Sequence, residues 1–255
     1  MGEAMASGWV SSGLVDSARL CIVEPGDSRR EDLAGLGMRT VATASESLPA
    51  DIVVLAVKPQ VIDDVVAGIR DLVGTGLVVS VAAGVSTGRL ESLLPHGVAV
   101  VRVMPNTPAM VGEGMAVVSG GRSATREDVE TVVAMFSALG QAAAVDEDFQ
   151  NAATAISGSG PAYFALVVDA LAQAGMRVGL EEALALQLAV QTMRGTSGLL
   201  GEGGMEPRAL IEAVSSPGGT TVAALGELQK ADISGAFDLA VRAAVARAEE
   251  LGAGK

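Results

Sequence analysis

Residues 76–84, GLVVSVAAG, decide how this chain is read. An apolar run of this kind, without polar alternation and with turn residues at its ends, predicts a strand buried on both faces. RLCIV (19–23), DIVVLAV (51–57) and VAVVRVM (98–104) repeat the pattern. Segments of helical period, DSRREDLAGLG and PQVIDDVVAGIRDLV, stand between such runs and predict parallel crossovers. GMAVVSGG and QAAAVD flank the helical TREDVETVVAMFSALG and are expected to finish the sheet. The fold class is therefore α/β, a doubly wound sheet over the first half. Near Asp146 the pattern changes: helices are predicted over 161–178, 180–200, 207–214, 220–230 and 233–251, separated by Gly, Pro and Ser. The expected domains are 1–147 and an all-helical 148–255.

Composition narrows the function. With 17 Lys+Arg against 30 Asp+Glu the formal net charge is −13, which argues against nucleic acid or an anionic membrane as partner. Hydrophobic residues make up 49% but aromatics only 2%, so the apolar mass is small aliphatic side chains suited to close helix packing and subunit interfaces. A single cysteine, Cys21, allows neither an intrachain disulfide nor a cysteine-cluster metal site. His96 is the only histidine and lies in a loop with no carboxylate at triad spacing. Metal and hydrolytic chemistry thus lack their residues, and a cofactor would have to supply the reaction. The first basic residue is Arg19, so the start does not read as a signal peptide. The one long uncharged run, 149–168, is interrupted by Gly158, Gly160 and Pro161, and the chain reads as soluble and cytoplasmic.

In a doubly wound sheet, ligands bind beyond the carboxyl ends of the strands. There the chain places Val57, Lys58 and Pro59; Ala82, Ala83 and Gly84; and Met104, Pro105, Asn106, Thr107 and Pro108. Each group alone reads as an ordinary turn, but three at corresponding edges favour a site for a flat ring against backbone. After the run 19–23 come Glu24, Ser28, Arg29 and Arg30. Glu24 could accept from a ribose 2′-hydroxyl, as NAD sites require, whereas Ser28, Arg29 and Arg30 could hold a 2′-phosphate, as NADP sites require. Both readings stand, beside a plain solvated helix face.

Two stretches of the helical half resist a purely structural explanation: SGSGPAY (157–163) and VSSPGGTT (214–221). A bare helix cap needs one hydroxyl, and the second stretch has Ser215, Ser216, Thr220 and Thr221 around two glycines. Glycines ahead of a helix start leave N–H groups free for a carboxylate or phosphate.

AVKP (56–59), VAAGV (81–85), RVMPNTPAMVGEG (102–114), SGSGPAYF (157–164) and VSSPGGTT occur in order, and over essentially the whole chain the sequence resembles pyrroline-5-carboxylate reductases. The resemblance implies a Rossmann-like dinucleotide-binding domain followed by an all-helical substrate and dimerisation domain. It implies reduction of 1-pyrroline-5-carboxylate to L-proline with NADPH or NADH, and no metal. Ser216, Gly218, Gly219 and Thr220 would hold the substrate carboxylate, and Thr221, the catalytic candidate, would hydrogen-bond the ring nitrogen. Gly2, Ser28, Arg29, Val57, Lys58, Pro59, Ala82, Ala83 and Asn106 would bind the dinucleotide. Homodimers with interlocked helices, and decamers built from them, would be the assembly.

The start departs from that family. MGEAMASGWV (1–10) aligns with the end of its G-x-G-x-M-G turn, so the family's first strand and two earlier glycines have no counterpart. A sheet with a gap between its halves, or with exposed edges, is then expected, together with a functional protein that begins earlier. The alternatives to the reductase are an impaired chain kept as an oligomerising or ligand-binding protein, and a reductase of another cyclic imine.

Overall fold

A computed structural model describes residues 1–253. Gly254 and Lys255, the end of the expected second domain, lie outside the described residues. The chain divides into two compact units: Met1–Ser159 together with the end of the chain from Ala244, and Gly160–Ala243.

The first unit runs through α1 (Gly2–Ser11), β1 (Cys21–Val23), α2 (Asp27–Gly35), β2 (Arg39–Val41), β3 (Ile52–Leu55), α3 (Ile62–Ile69), β4 (Leu77–Ser80), α4 (Thr87–Leu93), β5 (Val100–Met104), β6 (Gly114–Gly120), α5 (Arg126–Ser137), β7 (Gly140–Ala144) and α6 (Gln150–Ala153). The strands form a five-stranded sheet in the order β3-β4-β5-β6-β7 and a separate parallel pair, β1-β2. The expected interruption of the sheet is therefore present, between β1-β2 and β3. β3, β4 and β5 are mutually parallel, whereas β6 runs antiparallel to β5. The reason is connection length: a short loop joins β5 to β6, and a parallel crossover needs about a dozen residues or more. Helix α5 supplies such a crossover between β6 and β7, which are parallel.

Alternate residues of the central strands serve two cores, as the two-residue period of a strand requires. Val78 and Val100 pack with Ile62, Val66, Ile69 and Leu90 on one face. Val79, Val101 and Val103 pack with Met5, Trp9, Val132 and Phe136 on the other. Each such side chain removed from water contributes about 1.5–3 kcal/mol. Trp9 is held in three ways. It is buried, its Nε1–H donates to the Met135 carbonyl at 2.8 Å, and its ring meets Phe136 edge-on at 5.7 Å between centroids. Gly8 permits this approach, since a β-carbon there would fall 2.2 Å from Leu139.

The second unit contains α7 (Gly160–Arg177), α8 (Glu182–Leu200), α9 (Pro207–Ala213) and α10 (Thr220–Lys230), and α11 (Ile233–Ala253) begins in it. Helix α7 stops where Gly179 takes φ +101°, with Leu180 N–H bonded to the Gly175 carbonyl and Gly179 N–H to that of Met176. The Glu181 carboxylate then accepts from the Ala183 and Leu184 N–H groups to open α8. Within this unit the buried apolar residues are Ala172, Ala185 and Ala189. Phe164, Leu166, Leu171, Val190, Leu228 and Leu239 are exposed.

Candidate active site

In the first unit, Met1, Ala56, Val57, Lys58, Val81, Met104 and Pro105 line a groove of about 260 Å³. It lies beyond the carboxyl ends of β3, β4 and β5 and at the start of α1. That helix begins without a side-chain cap, and its first intrahelical bond is Met5 N–H to the Met1 carbonyl, so the amides of Gly2, Glu3 and Ala4 have no partner within it. A β-carbon at Gly2 would stand 3.3 Å from Ala56 Cβ, which leaves little room for a side chain between helix and strand end. Free amides, an apolar wall and one lysine fit an extended dinucleotide, with phosphates at the helix start.

The sequence-expected cofactor residues fall in three places. Val57 and Lys58 line the groove, and Gly2 adjoins it at Ala56. Pro59 opens the turn after Lys58; Ala82 is buried and Ala83 exposed in the loop after β4. That loop is backed by the end of α11, for a β-carbon at Gly84, where φ is +74°, would come within 3.3 Å of Leu251 Cβ. Ser28 and Arg29 are exposed in the first turn of α2, where Arg29 is paired with Glu3 of α1.

Asn106 is buried, and its amide is committed to backbone. Nδ2–H donates to the Ser157 carbonyl at 3.0 Å, and Oδ1 accepts from Met115 N–H at 2.9 Å. It thereby ties the loop after β5 to the start of β6 and to the wide π-type turn over Thr154–Gly158. The hydroxyls of that turn are also spent locally, Thr154 on the Gln150 carbonyl and Ser157 on that of Ala153.

Sequence reading missed a second buried brace. Arg102, in the middle of β5, donates to Glu147 at 3.3 Å and to Asn151 at 3.4 Å. The Glu147 carboxylate also accepts from the N–H and hydroxyl of Thr87 at the start of α4. A charge inside an apolar strand was the available signal, because a buried arginine requires an anionic partner.

In the second unit, VSSPGGTT forms the approach to α10. Gly218 takes φ +71°, and Gly219 is the N-cap residue, with no side-chain cap. Gly219 N–H closes a turn onto the Ser216 carbonyl at 2.9 Å, which leaves the first-turn amides from Thr220 onward free. A β-carbon at Gly219 would fall 2.5 Å from Ser216 Oγ. The Ser215 hydroxyl is buried with no hydrogen-bond partner. Ser216, Gly218 and Thr220 are exposed and Thr221 half-buried. Among the described residues no cluster of His, Cys, Asp and Glu could hold a metal ion.

A family model described as pyrroline-5-carboxylate reductase dimerisation matches residues 147–251, and one described as NADP oxidoreductase coenzyme F420-dependent matches residues 1–84. The chain is 39% identical over 253 residues to a pyrroline-5-carboxylate reductase of Pisum sativum, covering 98% of this chain and 92% of the relative. Among solved structures, a pyrroline-5-carboxylate reductase from Coxiella burnetii superposes with a TM-score of 0.93 at 32% identity, over 98% of this chain and 94% of that one. A Plasmodium falciparum pyrroline carboxylate reductase with NADP bound gives 0.88 at 29% identity, over 99% and 94%.

Proposed function

The chain belongs to the pyrroline-5-carboxylate reductase family, and from that premise we propose how its own residues carry the reduction of 1-pyrroline-5-carboxylate to L-proline with NADPH or NADH. The observation that carries the assignment of residues is the start of α10: free first-turn amides, Gly218 at φ +71°, Gly219 with Ser216 Oγ 2.5 Å from where a β-carbon would stand, and a buried Ser215 hydroxyl without a partner. Such a turn is complementary to a carboxylate. Ser216, Gly218 and Thr220 hold it through backbone N–H and hydroxyl. Gly219 serves by shape, since its N–H is used within the turn. Thr221 hydrogen-bonds the ring nitrogen.

The reduced nicotinamide, when bound, supplies the hydride. Val57, Lys58, Pro59, Ala82 and Ala83 bind the dinucleotide at the strand ends, Gly2 receives the phosphates, and Ser28 and Arg29 lie at the ribose end. Asn106 keeps the loop after β5 in place. A protonated imine is already electrophilic, so orientation rather than a strong side-chain acid sets the rate, consistent with the lone loop histidine.

The functional division at 147/148 is supported by the dimerisation match, which begins at residue 147. The exposed apolar faces of α7, α8 and α11 support a homodimer, and the decamer is the larger assembly we propose. The net charge of −13 argues against nucleic acid as a partner. Residues 147–177 are long and apolar enough to cross a bilayer, but they fall within the dimerisation match and contain the π-type turn. That supports a helix buried between subunits, no membrane, and a soluble cytoplasmic enzyme.

The test is loss of nicotinamide absorbance on adding 1-pyrroline-5-carboxylate, with proline formed in equal amount. NADH and NADPH are compared, as are five- and six-membered cyclic imines. Faster turnover of the six-membered ring would overturn the substrate assignment.

A further inference from the structure

The first turn of α2, where the ribose end of the dinucleotide is placed above, holds two arginines, and they are engaged differently. Arg30 is spent on its own loop: it donates to the Glu24 and Pro25 carbonyls at 2.9 Å each and pairs with Asp27. Glu24 is likewise turned inward, accepting from Gly26 N–H at 2.9 Å. Arg29 remains as the cation that can turn to a ligand, and the Glu3 carboxylate of α1 is paired with it. Asp32 stands 3.8 Å from the same guanidinium. The side chains of Arg29 and Glu3 are 46% and 41% exposed, so the pair lies in water and is weak enough for a ligand to displace.

We propose that Glu3 is a specificity-determining residue: it competes with the ribose 2′-phosphate of NADPH for Arg29, and so lowers the preference for NADPH over NADH. The physical argument is a difference between ligands. A dianionic 2′-phosphate must displace Glu3 from Arg29 and then lie beside a carboxylate in the same helix turn. A 2′-hydroxyl, being uncharged, meets neither cost. Glu3 also adjoins Gly2, so the residue that penalises the 2′-phosphate sits in the turn that offers amides to the pyrophosphate. The pyrophosphate is common to both cofactors, so the penalty reads out as selectivity.

The inference rests on the placement of the dinucleotide's ribose end at Ser28 and Arg29, and the experiment separates the two. Binding of adenosine 2′,5′-bisphosphate and of AMP is measured by calorimetry on the full chain, on Glu3→Gln, on Arg29→Ala and on the double variant. Glu3→Gln is expected to raise affinity for the bisphosphate relative to AMP about three- to tenfold. The gain should vanish in the Arg29→Ala background, as a competition acting through Arg29 requires. An unchanged or lowered ratio in Glu3→Gln, with bisphosphate binding still dependent on Arg29, overturns the competition alone. Bisphosphate affinity that does not respond to Arg29→Ala overturns the placement of the ribose end, and the inference with it. The ratio of KM for NADPH to KM for NADH should fall in Glu3→Gln by the same factor.

Discussion

The two units differ in whether they finish their own cores. In the first, strands supply valines to both faces and helices cover both, so Val78, Val79, Val100 and Val101 are fully buried. In the second, long helices bury alanines and leave Leu166, Leu239 and Phe164 in water at 63% exposure or more. A helical stripe needs a partner surface, and one chain does not provide it. The first unit covers its apolar strands with its own helices, whereas the second leaves a broad apolar helical face uncovered.

That contrast can be broken by substitution. The largest effect is expected from Phe136→Ala, which empties a fully buried site against Trp9. About 3–5 kcal/mol of stability should be lost in denaturant titration. Leu166→Glu would be near neutral on a free surface, within about 0.5 kcal/mol. At a packed dimer interface it should cost about 2 kcal/mol or more and yield monomers in sedimentation, so a variant that stays dimeric would refute the use of that face.

Asn106→Ala removes two bonds from a buried side chain to partly buried backbone. It should cost about 1–3 kcal/mol and raise KM for the dinucleotide more than KM for the imine. Thr221→Ala should lower turnover while the dinucleotide still binds, and unchanged turnover would remove Thr221 from the mechanism.

The smallest effect is in acid. The Thr43 hydroxyl and amide hold the Glu46 carboxylate below its usual range. The stabilisation is therefore present above the ordinary carboxylate pKa and is lost as pH falls through the folded value. Glu46→Gln should flatten the melting temperature's pH dependence only in that acid window.

Much of this was legible because the signals are local. The strands from 51 to 104 are dense apolar runs, and the helices of the second half are bounded by Gly, Pro and Ser. The strand Arg39–Val41 was missed because three residues, two of them polar, carry no period. The direction of β6 was also hidden, since hydrophobicity is the same whichever way a strand runs. In the site, the glycines and hydroxyls of VSSPGGTT were visible as a motif. The braces were not: Arg102 meets Glu147 across 45 residues and Asn106 meets Ser157 across 51. Likewise Arg29 read as free to meet a phosphate, because Glu3 lies 26 residues away.

The chain contains a single tryptophan, and it is Trp9, in the helix that starts at the groove beyond β3, β4 and β5. Indole emission is thus an optical reporter of the first unit alone, whereas helical circular dichroism reports on both units. Energy transfer from Trp9 to a reduced nicotinamide would give a binding signal that needs no label and no turnover.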